Sequence, residues 1–245
     1  MKATESRGHK LIRLFWRIGL DFKLLFLTFI MILVISTAIY VTSSICPVLN
    51  DILKASRVTP WGVVTSLFVH QGPEHLAFNM IGLLAFIVLF STTNWHLSKQ
   101  EIGKRVSLFL IVIFLMALLS NISWIILIPQ VGTAGSSGLV FASEGIVMGF
   151  TLQNGLRIIE LFRNGEKDRK RLLAIYLYNL GIFGVFFVQV LLAPQTFLNV
   201  APTVNVFAHG ISFLGSFFLT VFWSLRRGLH SKGRHAVVDS SKPSF

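Results

Sequence analysis

VSLFLIVIFLMALLSNISWIILI, the stretch Val106–Ile128, runs from end to end without a charged side chain. A helix of this length exceeds the roughly 20 residues that cross a hydrocarbon core about 30 Å thick. Working outward, five further apolar segments lie near Leu24–Ser44, Leu76–Thr93, Ser137–Leu156, Leu172–Leu192 and Val204–Leu225, parted by short polar breaks. The 245-residue chain is 53% hydrophobic and only 13% charged. Average soluble domains carry about 25% charged residues, so a disordered chain, a fibrous repeat, a disulfide scaffold and a soluble enzyme are all poor fits. The fold class predicted is an all-α membrane protein, a bundle of six transmembrane helices in a lipid bilayer.

The net charge of +12 invites a nucleic-acid reading, but its distribution argues for topology. Lys2, Arg7, Lys10, Arg13 and Arg17 precede the first segment, and Lys99, Lys104 and Arg105 lie between the second and third. Arg157, Arg163, Lys167, Arg169, Lys170 and Arg171 lie between the fourth and fifth, and Arg226, Arg227, Lys232 and Arg234 follow the sixth. Six crossings put all of these on one side, leaving only Lys54 and Arg57 on the other. Basic loops stay cytoplasmic, so both termini are predicted there and no nucleic-acid partner is needed. The first segment is longer than a signal-peptide core and lacks an A-x-A site, so it reads as a span. The chain then divides into a basic cytoplasmic N-terminal segment (1–21), a six-span domain (22–228) and a polar cytoplasmic tail (229–245). Pro47, Pro60, Pro73, Pro129, Pro194 and Pro202 fall in or beside the outer connections, and the lone Cys46 has no internal partner.

Polar groups inside a membrane are costly, so their positions are informative. They gather near the outer ends of the second, fourth and sixth segments: His70, His75 and Asn79; Gly132-Thr133-Ala134-Gly135-Ser136-Ser137-Gly138; and Asn205 with His209. His75 and Asn79 are four apart and share a helical face, whereas Gly72-Pro73 separates His70 as a loop residue. Ser137 sits at a helix N-terminus, where free N–H groups favour developing negative charge. A serine hydroxyl is a weak nucleophile until a base takes its proton, and His209 is the natural base. His75, Asn79 and the Ser137 N–H are placed to stabilise an oxyanion. Each cluster alone has a plain reading, since small residues let membrane helices approach closely and a membrane histidine is commonly a hydrogen-bonded structural group. Three clusters at one depth favour acyl transfer.

The same residues carry a resemblance. His70-x-x-x-x-His75-x-x-x-Asn79, Gly135-Ser136-Ser137-Gly138 and Ala208-His209 stand in the order, and on the spans, of the motifs of rhomboid intramembrane serine proteases, the compact six-span prokaryotic type. The resemblance implies Ser137 as nucleophile and His209 as base in a dyad, His75 and Asn79 in the oxyanion hole, and His70 supporting a water-filled cavity open to the extracytoplasmic face of the cell membrane. It implies transmembrane proteins as substrates, with helix-weakening residues near the cut and a small residue before it, and no metal or cofactor.

Departures from the family pattern are also visible. Phe141 stands where a tyrosine is common four residues past the nucleophile. Ser212 and Ser216 stand where many members have glycine after the histidine, with Gly215 adjacent. The first outer connection is short and lacks a Trp-Arg pair, so a large membrane-embedded loop is not expected there. Glu144 lies two turns past Ser137 and has no part in the dyad; Gly145-x-x-x-Gly149 beside it reads as helix packing. A zinc protease would need a motif such as H-E-x-x-H, and an aspartyl protease needs two carboxylates sharing a proton; neither is present in the segments. A transporter would show midplane polar residues and internal symmetry, which are also missing. The remaining alternative is a non-catalytic rhomboid-like protein that binds transmembrane helices, but such relatives typically lack the serine or the histidine.

Overall fold

The computed structural model describes residues 19–128, 131–163, 169–192 and 206–239. Six long helices occur in this set: α1 (Lys23–Ile45), α4 (Pro73–Asn94), α5 (Lys99–Leu127), α6 (Ser137–Arg163), α7 (Arg169–Leu192) and α8 (Val206–Asp239). They coincide with the six apolar segments. Among the described residues α1, α4 and α5 are long and apolar enough to cross a membrane. No strand forms among them; the one sheet-like element is an isolated antiparallel bridge between Ala55 and Thr133.

Local chemistry sets the boundaries. α4 starts three residues before the predicted Leu76, because Pro73 follows an extended Gly72. Proline suits a first turn, where its missing N–H would be unpaired anyway. The Ser98 hydroxyl accepts from the Glu101 N–H at 3.3 Å and starts α5, as an N-cap serine does. α8 runs on to Asp239, so the polar segment from residue 229, read as a tail, continues the last helix. No proline interrupts it before Pro243. The connection between α1 and α4 is more structured than its length suggested. It folds as α2 (Val48–Leu53), α3 (Gly62–Thr65) and a 3-10 turn, Ser66–Phe68, with the Trp61 indole donating to the Ile52 carbonyl at 2.8 Å.

Burial is sorted by size as much as by polarity. Leu27, Ile30, Val34, Ile111, Phe218 and Phe222 are exposed, while Ser36, Ser91, Ser120, Ser212, Ser216 and Thr220 are buried. Lipid solvates large apolar side chains as well as a protein core does, so small residues at the seams allow close helix approach. α6 lies centrally, packed against α8, α5, α4 and α7. At its seam with α8, a methyl on Gly145 would collide with the Ser216 hydroxyl and the Phe213 carbonyl, and one on Gly149 would come within 2.9 Å of Thr220. Ser216, a small residue, therefore permits close approach of α6 and α8, while the Ser212 hydroxyl donates to the Met116 carbonyl of α5 at 3.4 Å.

Away from the outer end, a buried polar network joins four helices. Arg105 donates to Asn94 Oδ1 at 2.7 Å, lies 3.5 Å from Glu101 and covers the Phe150 ring at 4.5 Å. Asn154 donates to the Thr93 carbonyl, and Asn179 to the Thr93 hydroxyl.

Candidate active site

Four ties hold the loop that leads into α6. Thr133 and Ala55 exchange backbone hydrogen bonds of 3.0 Å in each direction, and the Gly135 N–H donates to the Ser66 carbonyl at 2.8 Å. The third tie is His70, buried to 1% exposure, whose Nε2 is 3.0 Å from the Ser136 hydroxyl and whose Nδ1 is 3.3 Å from the Phe68 carbonyl. These partners suit a neutral ring that donates from Nδ1 and accepts at Nε2. Burial, with a smaller contribution from the nearby His75, lowers the pKa of His70 from 6.5 to about 4, so the ring is neutral at ordinary pH. Ser66 is held in turn by Asn121, whose amide donates to the Ser66 hydroxyl and the Val63 carbonyl, each at 3.0 Å. The Trp124 indole fixes the loop's start through the Val131 carbonyl at 2.7 Å.

This scaffold delivers Ser137 as the first residue of α6. Gly135, two residues earlier, has φ +123°, a conformation side chains resist. Space excludes a side chain there too: a Cβ would lie 2.8 Å from His75 Cε1, 3.0 Å from His75 Nε2 and 3.8 Å from Asn79 Nδ2. The shared face of His75 and Asn79 is thus turned onto the backbone just before Ser137. Asn79 is buried, and its Nδ2 has no hydrogen-bond partner among the described residues. A donor in that state is free for an acceptor that arrives with a substrate.

His209 approaches from α8. Its imidazole stacks on Phe141, with ring centroids 4.1 Å apart and planes 22° from parallel. Phe141 is one helical turn beyond Ser137, so the stack holds the ring beside the start of α6. His209 is buried, and its Nδ1 has no partner among the described residues. Nor does a hydrogen bond join Ser137 to His209. Catalytic hydrogen bonds are often long in apo structures and tighten only with substrate. Glu144 is half-buried on α6, and Asn205 lies outside the described residues. Among the described residues no group of three or more His, Cys, Asp or Glu side chains gathers in a metal-binding arrangement.

Six residues singled out by pattern thus meet around two loops and two helix ends: His70 at Ser136, His75 and Asn79 at Gly135, and His209 at Phe141, with Ser137 between. Sequence reasoning missed Ser136, Ser66, Asn121 and the Ala55–Thr133 bridge. Each works through a partner distant in the chain, and only the adjacency of Ser136 to Ser137 offered a signal.

A family model described as the Rhomboid domain matches residues 57–226. Among curated proteins nothing matches the chain. The family match spans most of the chain and takes in every motif residue placed above, so the chain belongs to the rhomboid family of integral membrane proteins, whose members are typically intramembrane serine proteases.

Proposed function

We propose that this protein is an intramembrane serine endopeptidase that hydrolyses peptide bonds in the transmembrane segments of other proteins. The observation that carries the reading is the stacking of His209 on Phe141, one turn from Ser137 at a helix start. Ser137 Oγ attacks the scissile carbonyl while His209 takes its proton. The resulting oxyanion is met by the Ser137 N–H, Asn79 Nδ2 and His75. His209 then passes the proton to the departing amine, and water hydrolyses the acyl-enzyme by the same steps. In this mechanism the imidazole accepts the serine proton at Nε2 and carries its own hydrogen on Nδ1.

Six crossings of the cell membrane, with both termini cytoplasmic and the site opening to the extracytoplasmic side, complete the proposal. The one-sided distribution of Lys and Arg supports it. Helix-weakening residues near the cut fit the chemistry, since a helical amide is shielded and has to unwind to reach Ser137.

The test is labelling of the detergent-purified protein with a fluorophosphonate, alongside Ser137→Ala and His209→Ala. Labelling by the wild type that disappears in both variants supports a histidine-activated serine. A folded wild type that never labels favours the non-catalytic, helix-binding alternative, and labelling that survives Ser137→Ala points to a different nucleophile.

A further inference from the structure

A cleft of about 550 Å³ opens where the first half of α5 meets α8, lined by Gln100, Lys104, Ser107, Leu108 and Ile111 of α5 and by Trp223 of α8. Gly103 forms part of its wall, with no atom within 4 Å of where a side chain would begin. The α5 residues recur every three or four positions and so form one face of the helix. Along that face the chemistry changes from polar at Gln100 and Lys104 to apolar at Leu108 and Ile111, over roughly 16 Å of helix. Ala117, which packs on Gly138 beside the nucleophile, lies about 9 Å further along the same helix. The cleft is therefore separate from the catalytic site.

Charge in the cleft has one sign. Glu101 faces Arg105, which also holds Asn94 and Phe150. Lys104 makes no hydrogen bond or ion pair among the described residues, and no carboxylate lines the cleft. Trp223 is fixed edge-on against Phe150, with centroids 5.9 Å apart and planes at 88°. Tryptophan is favoured at the membrane–water interface, and a lysine near a helix end places its ammonium at the headgroup level.

We propose that this cleft binds one anionic phospholipid from the leaflet in which α5 begins. Lys104 would meet the phosphate, Gln100 would donate to it, and an acyl chain would lie along Leu108, Ile111 and Trp223. The charge gradient selects this occupant: a soluble anion has no use for the apolar half, and a zwitterionic lipid offers no net charge to Lys104.

The test is native mass spectrometry of the full chain, released from micelles containing equal amounts of phosphatidylglycerol and phosphatidylcholine. Wild-type protein retains one phosphatidylglycerol in preference to phosphatidylcholine. Lys104→Gln weakens retention about fivefold, the worth of one lysine near an anionic surface. Gly103→Leu fills the cleft and abolishes retention. Lys54→Gln, whose ammonium pairs with Asp51 at 3.2 Å, retains the lipid as the wild type does. Equal retention of the two lipids, or unchanged retention in Lys104→Gln, overturns the proposal. Competition by glycerol phosphate as strong as by the diacyl lipid overturns it too, leaving a phosphate site. Should Gly103→Leu not fold, Lys104→Gln still decides.

Discussion

His209 and Phe141 face each other as parallel rings across the α6–α8 seam, 4.1 Å between centroids, so the imidazole is held by an aromatic surface. Aromatic pairs contribute about 0.5–1.5 kcal/mol beyond their buried area. Phe141→Ala is expected to slow fluorophosphonate labelling about two- to tenfold, while Phe141→Tyr keeps the ring and stays within about twofold of wild type. Equal rates in Phe141→Ala and wild type would show that the stack does not position the base.

Ser136→Ala takes the 3.0 Å hydroxyl from the buried His70 Nε2 and leaves it the longer 3.5 Å contact with the Ser136 N–H. The net contribution of one such hydrogen bond is about 0.5–1.5 kcal/mol. The variant is expected to melt lower and to label more slowly, because His70 anchors the loop that presents Ser137. A thermal melt paired with a labelling rate checks both effects. Lower stability with unchanged labelling would make His70 a structural anchor without influence on the nucleophile.

His70 also makes stability depend on pH. Its folded-state pKa of about 4 lies below the ordinary 6.5 because the ring is buried. Between those values the unfolded chain takes up a proton that the folded protein refuses. The contribution is complete above pH 6.5 and is lost as pH falls from 6.5 toward 4. Melting temperatures at pH 7.5 and pH 5 should differ more in wild type than in His70→Asn. An equal difference in both would mean that His70 takes no part in acid sensitivity.

The seam between α6 and α8 predicts a contrast among glycines. Gly145→Ala puts a methyl into Ser216 and the Phe213 carbonyl, whereas Gly184 has open space around it. Overpacking typically costs about 1–3 kcal/mol. Gly145→Ala should lower the melting temperature measurably, and Gly184→Ala should leave it unchanged or raise it slightly. A tolerant Gly145→Ala would mean that the two helices can separate at little cost.

Arg105→Lys tests the inner network. Lysine lacks the planar fork that reaches Asn94 while covering Phe150. The substitution should lower the melting temperature yet leave the labelling rate per folded molecule unchanged. A matching loss of labelling would show that the Arg105 network governs the region around Ser137.

The six helices were legible because lipid demands long apolar runs, and Val106–Ile128 has no other plausible use. The expectation that His75, Asn79, Ser137 and His209 form one cluster came from costly polar groups at matching positions of three segments, and the structure sets His75 and Asn79 against Gly135 and His209 against Phe141. Less visible was whatever depends on a partner remote in sequence. Ser136 reads as an unremarkable spacer until His70 is seen beside it, 66 positions away. That α8 runs on through polar residues to Asp239 was not visible, because polarity alone does not stop a helix.

The Ala55–Thr133 bridge joins the connection between α1 and α4 to the loop that leads into α6 by two main-chain hydrogen bonds. It works as a clasp made only of backbone, so no ordinary side-chain substitution erases it. Force applied to the polypeptide between α1 and α4, by an antibody or a docking protein, has a route to Gly135 and Ser137 that bypasses the helix packing. The segment between α1 and α4 is thereby a handle on the start of α6.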